Sequence, residues 1–438
     1  MIFSFPKHNF PGRFVKIHEE LQKQGILGSY GPRFTFPDEP QFFQYACERI
    51  PYSKHVKKGL GFGCSSNDGE AFVVAVAEAI EHYCLLFEQD NIFTRGSYKN
   101  LRISGAIDPF RFNSFSQKQL EDRVYKKFRF DHKTEFNWLE GYSLTKKKKV
   151  LVPASVVYAN YSPEERGEPT IQLKNSTGAA CGSTLEFALY RGICEIIERD
   201  AYMISFIQNL PKAIINVDTD EYLATFKRRI ERYDLEVHFL HTSLDCSPTT
   251  VVCIILDRTG SGPVVCTGLG GNLDPRKAIE TAGFEALRRH ISARDRFFRS
   301  TPLPLPVKYS FDWFLLKKQQ LWAAPHMITT AKAFLNGGAV AFGDLQKHVY
   351  KTDKERVSSL VVELKEKGHE VIYVDVTLPA VRALGLTVVK VLIPEMVPLW
   401  RDERYPYLGI PRLYDLPKQL GYEAKPIELK DVFSVHPF

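Results

Sequence analysis

The sequence lacks paired cysteines, a targeting signal and long uninterrupted apolar runs. Its eight cysteines are scattered, with no Cys-x-x-Cys pair and no Cys/His cluster at zinc spacing, which excludes a structural zinc module and a disulfide scaffold. No basic stretch followed by an apolar one begins the chain, so no secretory signal is predicted. The most apolar segment, residues 71–87, is interrupted by Glu78, Glu81 and His82, which excludes an ordinary membrane span. These absences predict a soluble cytoplasmic protein.

The charge balance and the catalytic motifs give further exclusions. Lys and Arg number 58 against 51 Asp and Glu, a net charge of +7 over 438 residues, which is too mild to indicate a nucleic-acid-binding protein. The sequence has no G-x-x-x-x-G-K-[ST] loop, no G-x-G-x-x-G, no G-x-S-x-G and no H-E-x-x-H. Any nucleotide site is therefore not a P-loop. The composition, 44% hydrophobic and 25% charged, is that of a chain with a large core.

Helical and strand-like segments interleave along the chain, which predicts a mixed α/β (α+β) fold. Residues 1–56 are aromatic and irregular in pattern, and we interpret them as an N-terminal appendage packed on a main body that comprises residues 57–438. Two strands are predicted at 136–144 and 150–158. The lysine-rich residues 145–149 between them can contact phosphate, but a solvated hairpin turn is the better interpretation.

Three predicted helices have clear start signals. Asn67-Asp68 caps a helix over 69–89, after a glycine-rich segment at Gly59, Gly61 and Gly63. A second glycine-rich segment precedes a helix over 183–206, where Ser183 and Glu186 have the spacing of a capping box. Asp274-Pro275 starts a third helix that runs to about residue 298, because proline at the first helical position after an aspartate cap is a strong start signal.

Glutamates occur within the apolar stretches of these three helices. Glu78 and Glu81, and again Glu195 and Glu198, are i,i+3 neighbours that project from one helix face. Two like charges in an apolar setting are costly unless a cation compensates them. Each glutamate can instead pair with a nearby Arg or Lys at a helix surface. The recurrence of the spacing, together with Glu285 on the third helix, favours a Mg²⁺–phosphate site, since Mg²⁺ prefers oxygen ligands.

With these residues in view, the sequence resembles the YcaO-domain family from about residue 59 to the C-terminus. Each matching segment is unspecific alone, and the resemblance depends on their order and spacing. The segments are Glu-Ala-Ile-Glu at 78–81, Ser-Thr-Gly-Ala-Ala-Cys-Gly at 176–182, Glu-Ile-Ile-Glu-Arg-Asp at 195–200, and residues 274–278, 374–377, 389–394 and 412–421.

The resemblance implies an enzyme that binds ATP and Mg²⁺ and phosphorylates the oxygen of a peptide amide, with azolines, thioamides or amidines as products. We expect an azoline-forming cyclodehydratase that acts on a ribosomally made precursor peptide, with thioamide or amidine formation as the alternative. The resemblance assigns five Mg²⁺–phosphate carboxylates, a phosphate contact, two further cofactor contacts and a C-terminal catalytic tail. These are Glu78, Glu81, Glu195, Glu198 and Glu285; Arg199; Ser183 and Glu186; and His436, Pro437 and Phe438.

Several positions depart from the family pattern, in which Ser, Lys, Glu and Arg are common where this chain has Val74, Phe62, Phe187 and Thr281. These departures support a rival hypothesis, a catalytically weakened subunit that uses the fold as a scaffold. The chain also lacks the long N-terminal region with which fused members capture a leader peptide, so a separate leader-binding partner protein is expected. No nucleic-acid or membrane partner is expected, and a homodimer is left open.

Overall fold

The computed structural model describes residues 10–33, 35–51, 58–86, 92–260, 263–299, 322, 324, 327–400, 402 and 404–427, with the backbone alone for 295–299. The α-helices in these ranges are α1 Gly12–Lys23, α2 Asp68–Leu86, α3 Tyr98–Leu101, α4 Gln117–Glu121, α5 Leu185–Ile207, α6 Glu221–Glu231, α7 Pro275–Arg299, α8 Met327–Ala333, α9 Asp353–Glu366, α10 Pro379–Ala383 and α11 Arg412–Gln419. None of them is long and apolar enough to cross a bilayer.

The strands in the described ranges are β1 Leu27–Pro32, β2 Phe43–Arg49, β3 Gly59–Ser65, β4 Thr94–Ser97, β5 Glu135–Ser143, β6 Lys148–Pro153, β7 Ala179–Gly182, β8 Ala213–Asn216, β9 Leu235–His241, β10 Thr249–Asp257, β11 Val265–Asn272, β12 Ala339–Ala341, β13 Ile372–Asp375 and β14 Thr387–Leu392. These strands form three sheets, in the orders β1-β2-β3, β11-β10-β9-β8-β12 and β4-β5-β13-β14-β7, and β6 pairs with β5. Among these strands, pairing is antiparallel except between β12 and β8. The predicted mixed fold is confirmed.

The N-terminal segment has regular structure, although its sequence pattern is irregular. It forms α1, β1 and β2, and β2 pairs with β3 along seven residue pairs from Phe43↔Ser65 to Arg49↔Gly59. That residues 1–56 are an appendage separate from the main body stays a prediction.

Two of the three predicted helix starts are confirmed by their caps. The Asn67 side chain accepts the Glu70 N–H, and Asp274 accepts the Arg276 N–H. The capping box at Ser183 is wrong, because the adjacent Thr184 is the N-cap and its hydroxyl accepts the Phe187 N–H at 3.1 Å. The predicted hairpin turn between β5 and β6 is formed by residues 144–147, and Lys148 and Lys149 already belong to β6, which ends at Pro153.

Glycines allow two strands to lie directly on two helices. On β3, a Cβ at Gly61 or Gly63 would overlap the backbone of α2, and on β11 a Cβ at Gly268 or Gly270 would overlap the backbone of α7. Such overlap leaves glycine as the residue that fits. The two strand–helix units have the same internal spacing, from glycines through cap to glutamate. A glycine-containing strand packed on a capped helix, an arrangement that we call the frame, therefore occurs twice in the chain.

Candidate functional site

The first two carboxylates project from α2, and backbone N–H groups of two neighbouring strands fix them. The Phe62 N–H of β3 donates to Glu78 Oε2. The Cys181 N–H of β7 donates to Glu81. Each carboxylate is thus oriented by a backbone group that does not depend on a side-chain rotamer.

The next two carboxylates lie on α5. Glu195 Oε2 accepts the Gly178 N–H at 3.0 Å, and Gly178 has a φ of +83° in a place where a Cβ would meet Ile196 and the Val391 carbonyl. Glu198 Oε1 lies 3.1 Å from Arg199 Nε, and the Glu198 side chain is only 8% exposed. Strand β11 comes close to this turn of α5 at Gly271, where a Cβ would lie 2.9 Å from the Cβ of Glu198.

The fifth carboxylate, Glu285, repeats the arrangement of Glu78. Its Oε2 accepts the Leu269 N–H of β11 at 2.7 Å, and its Oε1 accepts from Arg289 at 3.3 Å. In both units the donor precedes the glutamate by sixteen residues. Four of the five predicted carboxylates therefore accept a backbone N–H from a strand or from the turn before one.

Burial and mutual repulsion set the protonation of these groups. Burial raises the pKa of Glu81 well above its usual range, and the neighbouring Glu195 and Glu78 add to the effect. Burial likewise raises the pKa of Glu198 to about 8, against the opposing effect of Arg199. The five carboxylates lie close enough to influence one another, as carboxylates of one polyanion site do.

Arg288 on α7 joins the two units. Its Nη1 donates to both carboxylate oxygens of Glu78 at 3.2 Å, and its Nη2 lies 3.8 Å from Glu285 Oε1. Its guanidinium lies 5.5 Å from the centre of the Phe62 ring, and Arg33 lies 5.2 Å from the same ring. Arg289, Arg199 and Arg288 outweigh the effect of burial and lower the pKa of Glu285. Sequence reasoning missed Arg288 and Arg33.

Lys390 on β14 is a second cation that sequence reasoning missed. It is buried, and its Nζ donates to Thr177 O at 2.7 Å and to Asn175 O at 3.0 Å. Burial lowers its pKa to about 8, against the opposing effect of Glu195 and Glu81. A lysine in an apolar strand was the available signal, because a buried ammonium needs partners.

A cavity of about 570 Å³ is lined by His82, which follows Glu81 on α2, and by Asn175 and Ser176 from the turn before β7. Its charged lining residues are Arg49, Lys127, Glu164, Glu165 and Lys174. Its volume is within the range of ligand-binding pockets.

A profile of YcaO cyclodehydratases, described as ATP- and Mg²⁺-binding, matches residues 62–397. The chain belongs to the YcaO family. ATP and Mg²⁺, the predicted cofactors, are those that the description of this family names.

Three solved structures with this fold contain a bound ligand or belong to a complex. A heterocyclase in complex with substrate and cofactor is 22% identical, with a TM-score of 0.78 over 96% of this chain and 57% of that chain. YcaO from Methanopyrus kandleri bound with AMPPCP and Mg²⁺ is 19% identical, with a TM-score of 0.63 over 88% and 89%. The E. coli microcin synthetase McbBCD complex with pro-MccB17 bound is 12% identical, with a TM-score of 0.58 over 84% and 88%.

At these identities the likeness shows the YcaO fold alone. The chain spans 57% of the heterocyclase chain and about two thirds or less of the curated sequence relatives that it matches.

The carboxylates fit a Mg²⁺ ion that also binds phosphate and water, and they do not supply its complete coordination shell. Within the described residues no three His, Cys, Asp or Glu side chains are placed to hold a metal ion by themselves. Mg²⁺ usually takes one or two carboxylates and completes its shell with water and substrate phosphates. Oxygen donors fixed by backbone N–H groups match that requirement, and the adjacent Arg199 suits a phosphate because its donors form a planar fork.

The remaining predicted site residues are placed less clearly. Ser183 is exposed and Glu186 is partly buried at the start of α5, and their role as cofactor contacts stays a prediction. His436, Pro437 and Phe438 lie outside the described residues. Val74 and Phe187, two of the departures from the YcaO pattern, are 43% and 36% exposed.

Proposed function

We propose that this protein is an ATP- and Mg²⁺-dependent cyclodehydratase that activates a backbone amide of a ribosomally made precursor peptide and forms azolines at Cys, Ser or Thr. The observation that supports this most is the convergence of five glutamates from three helices, four of them held by backbone N–H groups. Preorganised charges of this kind stabilise a phosphoryl-transfer transition state without having to reorganise.

The roles of the residues follow from their surroundings. Glu78, Glu81, Glu195, Glu198 and Glu285 would hold Mg²⁺, and Arg199 would contact a phosphate oxygen. When bound, ATP supplies the phosphoryl group that makes the amide oxygen a good leaving group. Because Glu198 is nearly buried, it contributes as a metal ligand only when it is deprotonated, so metal binding releases its proton.

We further propose that the peptide enters through the cavity beside His82. Two of its lining residues lie close in the chain to predicted carboxylate contacts: His82 follows Glu81, and Asn175 belongs to the turn that precedes Gly178. The lining residues Arg49, Lys127 and Lys174 provide donors for backbone carbonyls of an extended peptide, and Glu164 and Glu165 provide acceptors for its N–H groups.

A leader-binding partner protein and a cytoplasmic location complete the proposal. The McbBCD complex is an assembly with pro-MccB17 bound, which supports the expectation of a partner. All eight cysteines are unpaired, as is usual in a reducing compartment.

The test is the mass of a precursor peptide after incubation with this protein, its partner, ATP and Mg²⁺. The precursor is sought as a short Cys/Ser/Thr-rich reading frame beside the gene. Loss of one water per modified residue is expected. Exchange of oxygen for sulfur indicates thioamide formation instead, and consumption of ATP with an unchanged peptide mass contradicts the proposal.

A catalytically weakened scaffold subunit is the second candidate. It is supported by Val74 and Phe187, exposed apolar side chains at positions where the family pattern has polar ones, and by Arg288, which already neutralises Glu78. Calorimetric titration with ATP and Mg²⁺ separates the two, since a scaffold binds no nucleotide with or without its partner.

A further inference from the structure

The buried ammonium of Lys390 connects β14 to the turn that precedes β7. Its acceptors are Thr177 O at 2.7 Å, Asn175 O at 3.0 Å and Asn175 Oδ1 at 3.3 Å. An ammonium group has three donors, so these three oxygens match its capacity. All of them belong to one short segment, residues 175–177.

This segment leads directly to the group that fixes Glu195. The Gly178 N–H donates to Glu195, while the Gly178 carbonyl accepts the Val391 N–H at 2.7 Å. Two successive residues of β14, Lys390 and Val391, therefore hold residues 175–178 on one side, and Glu195 lies on the other.

The charge of Lys390 favours the same arrangement. Its ammonium lies within electrostatic range of Glu195 and Glu81, so it offsets part of their repulsion. Removing the ammonium would remove its hydrogen bonds to the turn. It would also remove positive charge that offsets the repulsion between the two carboxylates.

We propose that Lys390 is a positioning residue of the Mg²⁺–nucleotide site, because its ammonium fixes residues 175–177 so that the Gly178 N–H holds Glu195 in place. The inference rests on the proposed function, in which Glu195 contacts Mg²⁺. Asn175 also lines the cavity beside His82, so the same ammonium holds one residue of that cavity's lining.

The chain offers a matched control. Lys212 is also fully buried, and its Nζ donates to the backbone carbonyls of Ser205 and Leu210. It follows the C-terminal end of α5, more than three helical turns beyond Glu195. Lys212→Met therefore removes a buried ammonium of the same kind without touching the turn at 175–178.

The experiment compares Lys390→Met, Lys212→Met and the unaltered chain by calorimetric titration with Mg²⁺ and AMPPCP, and by hydrogen exchange of residues 175–178. Lys390→Met is expected to bind the nucleotide at least about tenfold more weakly, the scale for loss of a group that supports a metal ligand. Its 175–178 amides are expected to exchange faster. Lys212→Met is expected to bind as the unaltered chain does, even where both variants melt at lower temperature.

If Lys390→Met does not fold, Asn175→Ala removes one acceptor and is expected to weaken binding severalfold in a folded chain. Unchanged affinity in the folded variant, or equal weakening in Lys212→Met, would overturn the inference and leave the proposed function intact. Absence of nucleotide binding by the unaltered chain would overturn both.

Discussion

The two glycine-strand and helix units, β3–α2 and β11–α7, share a frame but differ in charge. Both have glycines that admit the strand onto the helix, a cap at Asn67 or Asp274, and a glutamate that accepts a strand N–H. Three residues beyond that glutamate the first unit has Glu81, whereas the second has Arg288.

This difference, together with Arg289 in the place of His82, separates the roles of the units. The first supplies two carboxylates. The second supplies one carboxylate and an arginine that reaches back to Glu78. The same frame therefore positions a carboxylate in both units. The residue one helical turn after that carboxylate determines whether the unit adds a second negative charge or a positive one.

The largest expected effect tests whether the paired carboxylates are equivalent. Glu78→Gln and Glu285→Gln are each expected to lower Mg²⁺-dependent ATP turnover on the order of 100-fold or more while the chain stays folded, because the amide keeps the shape but not the charge. Glu198→Gln is expected to do the same. Exposed Glu140→Gln is the control. Undiminished turnover in Glu78→Gln or in Glu285→Gln would contradict the equivalent role of these two glutamates.

Loss of the close strand–helix contact is expected to destabilise both units alike. Gly63→Ala and Gly270→Ala place a Cβ against the carbonyls of Ala71 and Ala278, which is expected to cost about 2–3 kcal/mol of unfolding free energy. Gly31→Ala has open space around its Cβ and serves as the control in urea denaturation. A loss in only one unit would show that the frames are not equivalent.

Removal of the connecting arginine is expected to have an intermediate effect. Arg288→Met leaves Glu78 and Glu285 with less compensation, and we expect a loss of about 1–2 kcal/mol in the metal-free protein. Excess Mg²⁺ should restore more stability to this variant than to the unaltered chain. Arg382→Met, which breaks an exposed pair with Asp375, is expected to change little. If Mg²⁺ stabilises Arg288→Met and the unaltered chain equally, the role of Arg288 as a bridge between Glu78 and Glu285 is contradicted.

The smallest expected effect is a pH dependence of opposite sign in the two units. The folded-state pKa of Glu81 is raised by burial, so its contribution to stability is lost as pH rises through that pKa. The pKa of Glu285 is lowered against burial, chiefly by Arg289, so its contribution is present at neutral pH and lost in acid. At pH 8 in EDTA, Glu81→Gln is therefore expected to stabilise the chain and Glu285→Gln to destabilise it, each by about 1 kcal/mol. Melting shifts of the same sign would contradict this.

Sequence reasoning succeeded where the signal was local. Asn67 and Asp274 predicted helix starts because a cap acts within one turn, and the glutamates were conspicuous because they stand within apolar stretches of their helices. The capping-box spacing of Ser183 and Glu186 predicts the wrong cap, since the adjacent Thr184 has the same kind of hydroxyl and its hydroxyl accepts the Phe187 N–H.

The rest depended on contacts between distant segments. The bonds of Arg288 to Glu78 and of Lys390 to residues 175–177 join segments far apart in the chain. No local pattern specifies such partners. The doubled frame, however, is visible in the sequence as a repeated order of glycines, cap, alanines and glutamate, so a search for long-spaced internal repeats would have found it.

The most direct test of the central claim is a titration of ATP into the purified chain with Mg²⁺ and again with EDTA. We expect saturable binding that requires Mg²⁺ and is lost in Glu198→Gln. Binding that is indifferent to Mg²⁺ or to Glu198→Gln, or no binding at millimolar nucleotide, would contradict the claim that these glutamates form a Mg²⁺–triphosphate site.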